Sequence, residues 1–172
     1  MTFKLHAYQR YCADRTIDQP AIALLLGMGL GKTVTTLTAI DALINDCLDV
    51  RRVLVVAPKR VAEQTWPAEI KKWPHLQRLT ASVVAGTPTQ RKAALQAEAD
   101  LYIIGRDNVT WLAAQDPTPF DMIVLDELSS FKNHQAKRFK AMKKLRSHAS
   151  RVVGLTGTPA PNTYMDLWAQ MY

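Results

Sequence analysis

Short apolar runs alternate along the chain with amphipathic stretches. The runs that predict buried strands are rich in Val, Ile and Leu, and they are 21–26, 53–57, 101–104, 120–125 and 151–155, with a weaker run at 80–85. Between them, apolar residues recur every three or four positions, which is the spacing of an amphipathic helix. Strands that alternate with helices in this way predict an α/β fold, a three-layer α/β/α sandwich with a mainly parallel sheet.

A glycine-rich segment, Gly27-Met28-Gly29-Leu30-Gly31, follows the first apolar run and precedes a predicted helix that begins at about Lys32. Strand, glycine loop and helix in this order are typical of a phosphate-binding loop, in which backbone N–H groups and a helix N-terminus point at an anion. In that interpretation the Lys32 ammonium binds the β- and γ-phosphates of ATP, and the Thr33 hydroxyl binds magnesium. The strict pattern has glycine where this chain has Leu26, so a tight turn with a solvated lysine is the alternative.

An acidic pair, Asp126-Glu127, ends the apolar run 120–125. The carboxyl ends of parallel strands meet at one edge of the sheet, where the glycine loop is also expected. At that edge Asp126 is suited to hold magnesium, and Glu127 is suited to orient and deprotonate a water molecule that attacks a phosphate. The alternative is a pair of surface acids that ends a strand.

Basic residues predict a polyanionic partner without identifying it. The net charge is +7, which favours association with an acidic molecule. Lys59 and Arg60 follow the strand 53–57, and phosphate contact and a solvated loop are both compatible with that position. A second basic run, 137–146, carries its own apolar stripe, and charge runs of this kind more often form a solvated helix face than a nucleic-acid contact.

Composition indicates a folded globular domain. Apolar residues make up 48% and charged residues 22% of the 172 positions, which are ordinary values for one domain. No apolar run approaches the roughly 18–20 residues of a membrane span, and the N-terminus does not resemble a signal peptide. We therefore expect a cytoplasmic protein without a membrane partner, and we expect Cys12 and Cys47 to be buried thiols rather than a disulfide.

Five segments in order carry a family resemblance. They are Leu5-His6-Ala7-Tyr8-Gln9, Met28 to Thr33, Val53 to Trp73, Asp126-Glu127 with Lys132-Asn133, and Leu155-Thr156-Gly157-Thr158-Pro159 with Asn162. Together they resemble the first RecA-like domain of the Swi/Snf-type DNA translocases of helicase superfamily 2. Leu128-Ser129 stands where that family usually has Ala-His, and this variant is similar to phage or prophage members, which implies a bacterial or phage-infected cell.

The resemblance implies a RecA-like P-loop NTPase domain over 1–172 that uses ATP and magnesium and contacts duplex DNA. On sequence alone Gln9 is better explained as a solvated residue, but the resemblance assigns it to adenine recognition. The implied ATP contacts are Gln9, Met28, Gly29, Leu30, Gly31, Lys32 and Thr33. The implied DNA contacts are Pro58, Lys59, Arg60 and Arg106, and the residues implied to sense domain closure are Thr156 and Thr158.

Motors of this class contain a second RecA-like domain that supplies arginine fingers to the γ-phosphate, and such a finger is worth roughly 10³–10⁵ in rate. We expect this chain to be an excised or truncated first domain that binds ATP and magnesium, hydrolyses ATP very slowly and does not translocate alone. Two alternatives stay open. One is a non-catalytic DNA-binding or scaffold module with a vestigial nucleotide fold, and the other is a restriction-type superfamily 2 motor domain.

Overall fold

The computed structural model describes residues 4–127 and 137–157, and within them six strands form one sheet. The strands are β1 (Ala21–Leu25), β2 (Val53–Ala57), β3 (Ala81–Val84), β4 (Leu101–Gly105), β5 (Met122–Asp126) and β6 (Arg151–Thr156). Their order in the sheet is β1-β6-β5-β2-β4-β3, and every pairing between them is parallel. The mainly parallel sheet predicted from the alternating pattern is confirmed.

Helices connect the strands. They are α1 (Ala7–Asp18), α2 (Lys32–Asn45), α3 (Trp66–Lys72), α4 (Pro88–Gln96), α5 (Val109–Ala114) and α6 (Lys137–Arg146). A π-helical turn, Val61–Thr65, leads into α3, and short 3₁₀ turns lie at Pro74–Leu76 and Arg106–Asn108. In the described ranges none of the helices is both long enough and apolar enough to cross a membrane.

The core has two halves, one on each face of the sheet. Val53 and Val55 of β2 pack with residues of α2 and α3, such as Leu37 and Trp66, whereas the alternate β2 residue Leu54 packs with α5 and α6 on the other face. This alternation is the period of two expected for a strand buried on both sides. The α/β/α sandwich is therefore confirmed.

The first strand is less buried than its apolar sequence predicts. In the described part of the chain β1 pairs with β6 alone, so it lies at the edge of the sheet. Leu24 is the one buried residue of β1, and Leu25 is 47% exposed. The prediction that the run 21–26 is buried on both faces is wrong, because an edge position leaves part of the strand without a neighbour.

Two helices begin where local sequence signals predict. Thr87 caps α4 by accepting a hydrogen bond from the N–H of Gln90, whose side chain accepts one from the N–H of Thr87. Helix α2 begins at Lys32 as predicted. Cys12 and Cys47 are free thiols, but Cys47 lies beyond the end of α2 and is exposed, so its predicted burial is wrong.

Candidate functional site

Three strand ends that carry predicted site residues are neighbours in the sheet. Strand β6 lies between β1 and β5, with Thr156 aligned with Leu25 and Leu155 aligned with Asp126. The glycine loop follows β1, the acidic pair Asp126-Glu127 ends β5, and Thr156 ends β6. The structure therefore brings the predicted phosphate loop and the acidic pair to one corner of the carboxyl edge of the sheet.

The glycine loop has the backbone conformation that its sequence predicts. Gly29 and Gly31 have φ angles of 78° and 71°, a region that glycine adopts without the strain of a side chain. Gly31 caps α2, whose first N–H groups have no acceptor within the helix. The Met28 side chain is 93% exposed. The loop thus presents a helix N-terminus to solvent, which is the arrangement that binds phosphate in many proteins.

Lys32 lies across the inside of this loop. Its Nζ donates hydrogen bonds to the carbonyl oxygens of Leu26, at 2.8 Å, and Gly27, at 3.0 Å. A Cβ built on Gly157 would lie 3.7 Å from the same Nζ, so the ammonium also reaches the end of β6. The positive charge is therefore held at the corner that the loop and the acidic pair share.

Asp126 is a mostly buried carboxylate with a specific partner. Its Oδ2 accepts a hydrogen bond from Nε1 of Trp66 at 2.9 Å. Burial raises the pKa of Asp126 above its ordinary value and the charge of Glu127 adds to this, while the Trp66 hydrogen bond and the charge of Lys32 oppose it. The strand ends that precede Lys32 and carry Asp126 are separated in the sheet by β6 alone, so the two charged groups lie at the same corner. A bound cation would favour the ionised carboxylate.

Glu127 is held in an uncommon backbone conformation. Its φ is 63°, in the left-handed region that costs a residue with a side chain of order 1–3 kcal/mol and that is often found at functional sites. The Thr156 hydroxyl, which is almost completely buried, donates a hydrogen bond to Glu127 Oε1 at 3.4 Å. Thr158, Lys132-Asn133 and Asn162 lie outside the described residues.

Gln9 packs against the glycine loop instead of facing solvent. The residue is buried, its Nε2 donates a hydrogen bond to the Leu30 carbonyl at 3.3 Å, and its Oε1 accepts one from the N–H of His6 at 3.0 Å. The Tyr8 hydroxyl also donates to the Leu30 carbonyl, at 3.2 Å. The interpretation of Gln9 as a solvated residue, which sequence physics favoured, is wrong.

A cavity of about 800 Å³ opens beside the loop. Its lining includes Tyr8, Gln9, Gly31, Lys32 and Thr33. The wall contributed by α3 and the residues after it was not predicted: it contains Glu69 and Trp73, whose Nε1 donates to Glu69 Oε2 at 2.6 Å. The helical spacing of Trp73 gave no indication of a site, because a core tryptophan has the same spacing.

The predicted DNA-contacting residues lie farther along the same edge of the sheet. Ala57 and Gly105 are aligned at the ends of β2 and β4, which places Pro58, Lys59 and Arg60 beside Arg106. A Cβ on Gly105 would lie 3.5 Å from Cα of Lys59. Lys59 and Arg60 are exposed and Arg106 is half-buried. These residues form a basic group at the ends of β2 and β4, next in the sheet to the end of β5 that carries the acidic pair.

Helix α6 carries a second set of cations, and some of them are engaged within the chain. Arg138 forms an ion pair with Asp107 at 3.0 Å, and Lys144 forms one with Asp116 at 3.3 Å. Exposed pairs of this kind contribute little to stability. They nevertheless reduce the number of α6 cations that face solvent without a counter-charge.

Magnesium fits the donors at the shared corner. Mg²⁺ prefers oxygen ligands and is commonly bound by one or two carboxylates together with phosphates and water, so Asp126, the Thr33 hydroxyl and a phosphate form a suitable set. Residues 4–127 and 137–157 contain no group of three or more His, Cys, Asp or Glu that could hold a metal by themselves. A site completed by a phosphate is therefore the arrangement that these donors suit.

The class of protein follows from comparison with known families. The model of the SNF2-related domain matches residues 11–171, and the chain belongs to this family. The fold is that of the RecA-like core of such proteins. The Swi/Snf resemblance of the sequence motifs is confirmed.

Individual relatives agree with this assignment. Protein p41 of Acyrthosiphon pisum secondary endosymbiont phage 1 is 38% identical over 99% of this chain and 39% of its own length, which fits the phage or prophage resemblance. An uncharacterized ATP-dependent helicase of Mycoplasma genitalium is 28% identical over 83% of this chain and 14% of its own length.

A solved structure is similar over almost the whole chain. It is the Sulfolobus solfataricus SWI2/SNF2 ATPase core in complex with dsDNA, which is 28% identical and superimposes with a TM-score of 0.81 over 99% of this chain. The match covers 36% of that ATPase core. This chain therefore spans well under half the length of each of these relatives.

Proposed function

We propose that this chain is the ATP-binding domain of a DNA-dependent ATPase that moves along duplex DNA. The observation that carries the proposal is the shared corner at which Lys32, Asp126 and Glu127 meet the glycine loop. Membership of the SNF2-related domain family supports the same function. So does the similarity to an ATPase core whose structure contains dsDNA.

ATP binding uses groups that already surround the cavity. The Lys32 ammonium exchanges the carbonyl oxygens of Leu26 and Gly27 for oxygens of the β- and γ-phosphates, and the loop N–H groups bind the same phosphates. The Gln9 amide has a second hydrogen on Nε2 and a second lone pair on Oε1. These can pair with the adenine edge while the amide stays bonded to the loop and to His6.

Hydrolysis depends on Glu127. Its carboxylate accepts a proton from the water that attacks the γ-phosphorus, while the bond from that phosphorus to the oxygen shared with the β-phosphate breaks and ADP leaves. The Thr156 hydroxyl helps to hold the Glu127 carboxylate in place. Lys32 stabilises the charge that develops on the phosphate oxygens. Magnesium, which the Thr33 hydroxyl and the Asp126 carboxylate would hold, neutralises charge on the β- and γ-phosphates when bound.

DNA contact is proposed at the basic group formed by Pro58, Lys59, Arg60 and Arg106. Cations at the end of a strand suit phosphate oxygens of a nucleic-acid backbone, and such contacts bind without regard to sequence. We further propose that a second RecA-like domain in a longer protein completes the motor and supplies the arginine finger. This chain matches 36% of the Sulfolobus ATPase core, which supports that arrangement. Thr156 and Thr158 would then sense domain closure.

The hydrolysis assignment is tested with Glu127→Gln. We expect the variant to bind ATP and magnesium as the unsubstituted chain does, and to lose the slow hydrolysis of that chain by roughly 10²-fold or more, because general bases contribute about 10²–10⁴. The measurement is release of phosphate from labelled ATP, with binding measured on the same samples. Hydrolysis at the unsubstituted rate would show that Glu127 is not the base.

The DNA assignment is tested by salt dependence. We expect Lys59→Ala to weaken binding to duplex DNA equally for unrelated sequences and to reduce the slope of log affinity against log salt by about 1, the change for one lost phosphate contact. Lys92→Ala is the matched control, since Lys92 is an exposed lysine of α4. Equal effects of the two substitutions would contradict a specific contact at Lys59.

A further inference from the structure

Trp66 donates its single side-chain hydrogen bond to Asp126. The indole Nε1 lies 2.9 Å from Oδ2 of Asp126, and the residue has no exposed surface. Trp66 begins α3 directly after the π-helical turn Val61–Thr65. A local π-helix inside a helical segment is uncommon and frequently occurs at functional sites. Here it is followed directly by Trp66, whose indole reaches the candidate site.

The contact is more than a way of filling the core. Trp66 packs with apolar residues such as Leu37 and Ile70 on one face of the sheet, and a phenylalanine could supply most of that apolar surface. What a phenylalanine lacks is the N–H group, which here reaches one chosen oxygen of a mostly buried carboxylate. A hydrogen bond to a charged group is stronger than one between neutral groups, and it fixes the acceptor's orientation.

We propose that Trp66 is a positioning residue for Asp126. The indole N–H of Trp66 holds Oδ2 of Asp126, so that Oδ1 of Asp126 is the oxygen offered to magnesium. This inference rests on the proposed binding of ATP and magnesium at the same corner. Partners that orient metal ligands typically change metal affinity or activity by 10–100-fold when they are removed. The function of Trp66 is therefore expected to appear in the magnesium requirement of nucleotide binding.

The test compares two tryptophan substitutions. Trp66→Phe removes the donor and keeps a ring, whereas Trp111→Phe removes an indole that packs with the core on the opposite face of the sheet. ATP affinity is measured for both variants and the unsubstituted chain over a range of magnesium concentrations and in EDTA. We expect Trp66→Phe to raise the half-saturating magnesium concentration about tenfold or more without changing ATP affinity in EDTA. We expect Trp111→Phe to change neither quantity.

A second measurement uses the unsubstituted chain alone, so it does not require that a Trp66 variant folds. In the unsubstituted chain with ATP already bound in EDTA, replacement of EDTA by magnesium should move the indole N–H resonance of Trp66 and leave that of Trp111 in place. An unmoved Trp66 resonance would overturn the proposal. So would an unchanged magnesium requirement in Trp66→Phe, or a loss of ATP affinity that is equal with and without magnesium, since a purely structural role produces that pattern.

Failure of the proposed function has a different signature. If the unsubstituted chain bound no ATP under any condition, the proposed nucleotide site would be wrong and the role of Trp66 would be overturned with it. If the unsubstituted chain bound ATP in a magnesium-dependent manner and Trp66→Phe behaved identically, the role of Trp66 alone would be overturned.

Discussion

A Cβ placed on Gly31 would lie 2.4 Å from Nε2 of Gln9, the amide nitrogen that donates to the Leu30 carbonyl at 3.3 Å. Helix α1 and the start of α2 therefore meet at the point where the glycine loop becomes a helix. The absence of a side chain at Gly31 is what allows the Gln9 amide to rest on the loop.

This contact predicts different costs for two similar substitutions. Gly31→Ala and Gly29→Ala both place a side chain at a positive φ, but the Cβ at Gly29 would meet no atom within 4 Å. Both should lower the free energy of unfolding by roughly 1–2 kcal/mol through strain. Gly31→Ala should cost about 1 kcal/mol more, because the Gln9 amide must leave its hydrogen bonds.

Urea unfolding of the single variants and of the same substitutions in a Gln9→Ala background measures the difference. The extra cost of Gly31→Ala should disappear when Gln9 is shortened to alanine. Equal costs of the two glycine substitutions in the unsubstituted chain would contradict the contact.

The backbone conformation of Glu127 predicts that glycine at this position is more stable than alanine, the reverse of the usual order. Its φ of 63° suits glycine, so Glu127→Gly should be more stable than Glu127→Ala by about 1 kcal/mol. Both variants lose the carboxylate that accepts the Thr156 hydrogen bond, so that loss cancels in the comparison. Urea unfolding measures the difference, and an alanine variant as stable as the glycine variant would show that this backbone is not strained.

The lowered pKa of His75 predicts that the free energy of unfolding depends on pH. Its Nε2 and the Thr38 hydroxyl are 3.0 Å apart, and burial lowers its pKa below the ordinary value of 6.5 while the charge of Asp41 opposes that shift. A histidine with a lowered pKa in the folded state binds its proton more readily when unfolded. Stability should therefore fall as the pH drops below about 6.5, until the lowered pKa is passed.

Comparison with His75→Gln separates this effect from that of other titrating groups. Chemical unfolding of both proteins between pH 5 and pH 8 should show the free energy of unfolding decreasing more steeply toward acid pH in the unsubstituted chain. Parallel pH profiles would contradict the pKa shift.

The fold was predictable because local patterns and topology agree. Uninterrupted apolar runs such as Val53–Ala57 are buried on both faces, and the capping sequence at Thr87 starts a helix where expected. The same pattern failed for Ala21–Leu25, since an apolar run does not state whether its strand lies inside the sheet or at its edge. Edge position is set by the strand order, which depends on the whole chain.

The candidate site was predictable only in part. Lys32 and Asp126 follow from local motifs, because parallel strand ends necessarily share one edge. Trp66 and Glu69 could not be found in this way, since they lie on a helix whose apolar spacing is that of an ordinary core helix. The Trp66–Asp126 contact arises from tertiary packing. The Glu69–Trp73 contact is local, between residues four apart, but its spacing alone does not place it at a site.

The most direct test of the account is a calorimetric titration of ATP, in excess magnesium, into the unsubstituted chain and Lys32→Ala, with Lys92→Ala as the control. We predict saturable binding to the unsubstituted chain and to Lys92→Ala, and affinity at least about tenfold weaker for Lys32→Ala, because charge-assisted hydrogen bonds to phosphate are lost. Equal and negligible binding to the unsubstituted chain and Lys32→Ala would contradict the account and favour a non-catalytic scaffold module.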